Sequence, residues 1–337
     1  MKSFCVCLFL IPALFFCGCK QQNTEYIQYD SFIEVLPLVS EKVEVPPVLL
    51  YPRAVFLTDN NLVVLNEKTD TLFQVFSFPN LKYECQLGII GDGPKDFVLP
   101  HIYPVEYNKE GFTLSDLTFL KKIRIMDNKL EVNTFKLPQN QPYYNGLVKL
   151  SDSLYCCRSG LESEYELSYL YTDGVIKGIG EFPEEVSPHF DNTLQRNEAY
   201  IGLHVSHPSG GLMALFYQHL RRWRLYNSDG VLVSDCMLTI EPGKNIPMAE
   251  DENRYIHPIA TYATDDYIYT LNLDMTSDEI VRQVRTPNIQ VFDWTGKPIR
   301  QYLLDCFISS FVVDEDNGAI YGVFVEDVDH IYKFSLK

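Results

Sequence analysis

The chain has 337 residues, 46% hydrophobic and 13% aromatic, with 45 acidic side chains against 28 basic ones for a net charge of −17. So much apolar surface excludes a disordered chain, and 18 glycines and 19 prolines scattered without period exclude collagen-like and low-complexity classes. The acidic balance repels phosphate backbones and argues against nucleic acid as a partner.

Residues 1–19 read MKSFCVCLFLIPALFFCGC. Lys2 precedes an apolar run from Phe4 to Phe16, and Gly18 stands before Cys19. This is the pattern of a secretory signal, too short for a spanning helix. Its end, Phe16-Cys17-Gly18-Cys19, resembles a bacterial lipobox, although Phe16 stands where Leu is usual and Cys17 where Ala or Ser is usual. The resemblance implies cleavage before Cys19 and lipidation of its thiol, which anchors the chain through buried CH2 groups. Cys17 is the poorer acceptor because it follows the bulky Phe16. The expected organisation is a signal peptide over 1–18, a tether over 19–25 and one domain over 26–337. Lys20-Gln21-Gln22-Asn23 lacks an acidic export run, which favours the periplasmic over the surface-facing side of an outer membrane. No later apolar stretch reaches the roughly 18 residues of a membrane span.

Five cysteines remain besides Cys19: Cys85, Cys156, Cys157, Cys236 and Cys306. An odd count without CxxC spacing argues against a disulfide framework or a zinc site, so they read as small buried hydrophobes, with Cys156 and Cys157 on opposite faces of one strand.

From about Tyr26 onward the chain is a succession of short β-type runs separated by turn signals such as Asp173-Gly174, Asp229-Gly230 and Asn317-Gly318, and helical periodicity is almost absent. One segment type recurs six times: Thr71–Phe76, Lys122–Asp127, Glu166–Leu170, Arg222–Tyr226, Asn288–Asp293 and His330–Phe334. Around the copies the same order repeats. A first strand comes before it (Ala54–Leu57, Ser310–Val313), then a second (Leu62–Leu65, Leu212–Phe216, Ile268–Leu271), and a fourth follows (Val132–Phe135, Ile299–Leu303). Four strands at roughly fifty-residue spacing predict an all-β, six-bladed β-propeller of four-stranded antiparallel blades. A two-domain β-sandwich leaves the six copies unexplained. The last copy ends near Lys337 without a fourth strand, while Tyr26–Val45 is spare. The N-terminal strand is therefore expected to complete the last blade.

The segment Gly91-Asp92-Gly93-Pro94-Lys95-Asp96-Phe97 follows the first blade. Its glycines permit positive φ and Pro94 fixes the next φ, so it reads as a sharp turn between blades, with Phe97 plugging the interface and Asp96 capping backbone N–H groups. It lacks the GK[ST] and following helix of a phosphate loop. With the lipobox and the six blades, this segment resembles the TolB-like six-bladed propeller lipoproteins of Bacteroidetes, whose blades are related to NHL repeats. That family carries Gly-x-Gly-Pro-x-Glu-Phe after its first blade, and here Asp96 replaces Glu. The resemblance implies fold and envelope location and no particular reaction.

No cofactor or metal motif stands out. His204 and His207 are placed on opposite faces of a strand, and Asp314–Gly318 lacks the spacing of a calcium loop and reads as a hairpin. His101 and His257, beside Pro100 and Pro258 at the start of first strands, are expected near the channel mouth. Arg221-Arg222-Trp223-Arg224 is the one basic cluster. Alternation puts Arg222 and Arg224 on one face, able to bind a carboxylate or sugar acid beside Trp223, or to form ion pairs across an acidic surface. Long loops around Pro183–Arg196 and Pro242–Arg254 are further binding candidates. Without a nucleophile elbow, HExxH or triad spacing, the expectation is a non-enzymatic binding or scaffold propeller for a protein, peptide or glycan. The alternative is a carbohydrate-active lyase or glycosidase at the channel mouth.

Overall fold

Runs with neighbours on both faces need not alternate, and the strands of this chain do not. In Asn61–Asn66 and Arg222–Asn227 five of six residues are buried. The computed structural model describes residues 26–137, 146–183, 190, 192–239 and 254–336. The signal segment with Cys19 and the whole of 242–253 lie outside the described residues, as does part of 183–196.

Three strands open the described chain: β1 (Tyr26–Tyr29), β2 (Glu34–Leu38) and β3 (Ser40–Glu44). Blade 1 is β4 (Pro52–Leu57), β5 (Asn61–Asn66), β6 (Thr71–Ser77) and β7 (Tyr83–Ile89). Blade 2 is β8 (Glu106–Asn108), β9 (Gly111–Asp116), β10 (Phe119–Met126) and β11 (Lys129–Lys136). Blade 3 is β12 (Val148–Ser151), β13 (Leu154–Arg158), β14 (Leu167–Tyr171) and β15 (Ile176–Ile179). Helix α1 (Thr193–Ala199) leads into blade 4, which is β16 (Gly202–Ser206), β17 (Leu212–Tyr217), β18 (Arg222–Asn227) and β19 (Leu232–Leu238). Blade 5 is β20 (Tyr255–Ala263), β21 (Tyr267–Thr276), β22 (Asn288–Asp293) and β23 (Pro298–Leu304), with helix α2 (Ser277–Val281) between β21 and β22. Blade 6 has β24 (Ser310–Asp314), β25 (Ala319–Phe324) and β26 (Asp327–Ser335), and β3 is its fourth strand, antiparallel to β26. The six repeated segments are the third strands of the six blades.

The core is six clusters, each between neighbouring blades: 1 with 2, 2 with 3, 3 with 4, 4 with 5, 5 with 6, and 6 with 1. The last of these, joining Val55, Val64 and Phe76 to Val312, Tyr321 and Ile331, closes the ring. Each such side chain contributes about 1.5–3 kcal/mol by burial. Cys156 and Cys157 illustrate the pleat: one belongs to the blade 3–4 cluster and the other to the blade 2–3 cluster.

The N-terminal segment does more than complete blade 6. β1 adds in parallel to β19 and β2 adds in parallel to β23, so blades 4 and 5 have five strands. Residues 26–44 form a belt along the rim of half the ring. Tyr29 stacks on Trp223 with centroids 6.2 Å apart, Phe32 meets Phe292 edge-on at 5.7 Å, and Leu38 is buried. Both Asp305 carboxylate oxygens accept from the Ser40 N–H, at 3.0 and 3.1 Å. An outer strand presents unpaired N–H and C=O groups along its free edge, and the belt satisfies them. The two helices also depart from the sequence reading. At 7 and 5 residues they are too short to show a 3.6-residue period, and capping starts them: Asn192 accepts from Gln195 N–H, and Thr276 forms a capping box with Glu279. No helix among the described residues is long and apolar enough to cross a membrane.

Candidate functional site

The first strand of each blade lines the channel with its free edge, so polar backbone groups face the axis. Blade 2 spans that axis to blade 5, three blades away in either direction. The Tyr103 hydroxyl donates to Ile259 C=O at 2.9 Å. The Tyr107 hydroxyl donates to Ala263 C=O at 2.8 Å and accepts from Ala263 N–H at 2.5 Å, while its ring stacks on Tyr262 at 4.8 Å. Burial pushes the Tyr107 hydroxyl well above the usual tyrosine range, so it stays a donor.

This brace divides the channel. Tyr103, Pro104, Tyr107 and Thr261 border a larger cavity of about 580 Å³ and a smaller one of about 260 Å³. The larger lies among blades 2, 3 and 4 and is bordered by the hairpin residues Asn108, Ser151, Asp152 and His207–Gly211, so it opens on the face carrying the hairpins between first and second strands. In it the Lys149 ammonium sits 2.9 Å from Glu106 and 3.0 Å from Asp152. Thr113 donates to the other Glu106 oxygen at 3.0 Å. His204 is buried, with Nδ1 3.1 Å from Gly146 C=O, and burial pushes its ring down to about 4. The smaller cavity is more apolar and has Arg53, Gln218, Ser309 and Ser310 in its wall.

The basic cluster is placed differently. Arg222 and Arg224 share one face, and that face is the buried interface of blade 4 with blade 3. Arg222 forks onto Asp235 through Nε at 2.7 Å and Nη2 at 2.6 Å, and Arg224 Nε donates to the same carboxylate at 2.8 Å. Arg224 Nη1 also donates to Glu181 C=O at 2.6 Å and faces Glu166 at 3.3 Å. Glu166 in turn accepts from the Tyr226 hydroxyl at 2.8 Å and from the Tyr217 hydroxyl. Both guanidinium groups keep only 2% and 7% of their side-chain surface, so this is internal structure and not ion pairing across the surface. Trp223 points to the opposite interface, where Nε1 donates to Gly296 C=O at 3.0 Å.

His257 and His101 do not meet in a common cavity. His257 is 1% exposed, and its Nδ1 is 2.7 Å from Asp274. Burial alone would raise the Asp274 carboxyl, but His257, Arg221 and the Asn288 amide at 2.9 Å hold it below its usual value. The cleft beside His257 has about 10 Å³, too little for a sugar ring. His101 is half-buried, accepts from Tyr103 N–H at 3.3 Å, and is lowered by burial.

In the turn after blade 1, Phe97 is fully buried and meets Phe73 edge-on at 5.3 Å between blades 1 and 2. Asp96 accepts from Gly93 N–H at 2.9 Å, and the loop carbonyl of Pro94 accepts from Thr134 at 3.3 Å. Neither Gly91 nor Gly93 has positive φ. What they give is room: a Cβ would lie 2.7 Å and 2.5 Å from the Asp96 carboxylate and would make that side chain shift from its bond to Gly93 N–H.

The comparisons with known proteins agree with this architecture. A model of the TolB-like 6-blade propeller-like family matches residues 35–316. The chain belongs to this family. No curated protein matches it. Among solved structures, this TolB-like propeller is similar to a protein of Bacteroides vulgatus from the duf4221 family, at 12% identity and TM-score 0.62, covering 89% of this chain and 97% of that one. It is also similar to a Bacteroides fragilis protein described as exported, at 11% identity and TM-score 0.53, covering 93% and 100%. Virginiamycin B lyase from Staphylococcus aureus follows at 9% identity and TM-score 0.52, covering 88% and 99%. At such identities the likeness is one of fold.

Sequence reasoning missed Tyr103, Tyr107, Lys149 and Glu106, because local patterning does not mark residues that meet across an axis. It also missed Glu166 and Asp235. The polar Asp235 between Ser234 and Cys236, in the strand that follows the basic cluster, was the available signal.

Proposed function

We propose that this TolB-like propeller is an exported, lipid-anchored binding protein of the cell envelope. In this reading Cys19 carries the lipid, residues 19–25 are the tether, and the ring holds a ligand in its larger cavity without transforming it. The observation that carries the reading is the contrast between two sets of side chains. The groups that could do chemistry, Arg222, Arg224 and His257, are buried among internal partners, whereas the large cavity is open. Export is supported by the signal-like N-terminus and by the exported Bacteroides fragilis protein of similar fold. The periplasmic side of an outer membrane is the proposed location, and protease shaving of intact cells leaves the chain whole if this is right.

The deciding experiment combines capture and turnover. The full chain is immobilised, envelope extract is passed over it, and bound glycans, peptides and proteins are identified, while the same protein is incubated with a polysaccharide panel. A retained partner without product formation supports the proposal. Measurable turnover of a polymer overturns it in favour of a lyase or glycosidase.

A further inference from the structure

Building on the cavity-binding reading, we infer that the larger cavity takes an uncharged carbohydrate, a short oligosaccharide or the end of a longer glycan. Its volume of about 580 Å³ is within the range of small-molecule sites. The charges within its wall are matched: Lys149 pairs with Glu106, both about a quarter exposed, while Asp152, 3.0 Å from the same ammonium, stands fully in solvent, where its charge is screened. An acidic ligand therefore meets no surplus positive charge, and a cationic one has to compete with Lys149 for its own partners.

What remains open is a set of neutral or spare hydrogen-bonding positions. The Lys149 ammonium has three protons, and its two partners leave one. His204 has Nδ1 directed at Gly146 C=O, which fixes the neutral tautomer with the proton on Nδ1. Its Nε2 is then an acceptor without a partner among the described residues, on a residue that is 8% exposed and borders the cavity. Ser206 adds a hydroxyl that donates and accepts. The Tyr107 hydroxyl is committed to Ala263, so Tyr107 offers only the part of its ring left clear by the stack on Tyr262, and not its oxygen. Donors, acceptors and a two-way hydroxyl beside an aromatic wall suit a ligand whose hydroxyls both donate and accept and whose ring faces carry C–H groups.

The test is titration calorimetry on the full chain in detergent. The probes are maltotriose, cellotriose, xylotriose and mannotriose, with trigalacturonate and trialanine as charged comparisons. At least one neutral trisaccharide is expected to bind saturably. Lys149→Met and Ser206→Ala are each expected to weaken it, the former roughly tenfold or more, while the exposed Arg285→Ala changes nothing. Circular dichroism of each variant separates lost binding from lost folding. Binding of trigalacturonate or trialanine that is sensitive to Lys149→Met, with no neutral sugar bound, overturns the carbohydrate inference and leaves the cavity reading standing. Sugar binding indifferent to both cavity variants overturns the two together, and a panel in which no neutral sugar binds overturns the inference.

Discussion

Removing one charge from the buried network between blades 3 and 4 should cost more than removing a matched pair. Arg222, Arg224, Glu166 and Asp235 are formally neutral as a group and all are buried. Glu166→Gln keeps the shape but leaves a guanidinium charge without its match, in a place where water cannot screen it. Arg224→Met leaves the converse, a carboxylate facing only the hydroxyls of Tyr217 and Tyr226. Breaking one side of a buried pair costs about 3–5 kcal/mol, so each single variant should lose about that much. The double variant keeps the bidentate Arg222–Asp235 pair, at 2.7 and 2.6 Å, and restores neutrality. It should lose less than the sum of the singles, by about 1–3 kcal/mol of coupling. The assay is urea unfolding of all four proteins, with the denaturant slope compared across the cycle to confirm one transition. Costs that add to within about 0.5 kcal/mol would refute the view that these charges act as one unit.

Deleting residues 26–39 should strip β1 and β2 yet leave β3 paired with β26, lowering the thermal midpoint while a single transition remains; deleting 26–45 opens blade 6 and should remove cooperative unfolding, and equal behaviour of the two deletions would contradict the closure role of β3. Phe97→Ala should cost about 3–5 kcal/mol, measured by denaturant midpoint, because the ring is wholly enclosed between blades 1 and 2. The His204 ring is depressed to about 4 from an ordinary value of 6.5. The unfolded chain therefore binds the extra proton first, and stability is full above about pH 6.5 and falls as the pH drops toward 4, by about 3 kcal/mol from this group. His101 and His219, also lowered by burial, act with the same sign, so the measurement is the difference in urea midpoint between the parent and His204→Gln across pH 7 to 4. Identical slopes would show that His204 is not the group responsible.

The blades were legible because their third strands are buried on both faces, so Leu72–Phe76 and Ile289–Phe292 are apolar at every position but one, the buried Gln74 and Gln290. The turns were legible because the same local bond recurs: Thr58 and Thr264 each hydrogen-bond the carbonyl three residues on, opening equivalent hairpins in blades 1 and 5. Closure was legible as a count, one strand missing at the end and one spare at the start. The belt was not, because β1 and β2 use the open edges of strands already complete, and nothing in their own sequence names those edges. Nor was the site. Glu166 and Arg224 are 58 residues apart, and Tyr107 and Ala263 are 156 apart. The basic cluster was misjudged for a related reason: a strand with charged residues at alternate positions reads as half-exposed until the partner carboxylates are known to come from a neighbouring strand and the next blade.

The brace also bears on what kind of ligand the ring can hold. Tyr103 and Tyr107, each tied to the far side by its hydroxyl, part the channel into two halves side by side, so a ligand in the larger cavity lies off the axis against blades 2, 3 and 4. The smaller cavity is separated from it by the same wall, so occupation of one leaves the other available. Under the proposed binding role, the six blade interfaces and the belt along blades 4 to 6 hold the walls, and recognition falls to polar groups such as Lys149 and Ser206 that border the larger cavity.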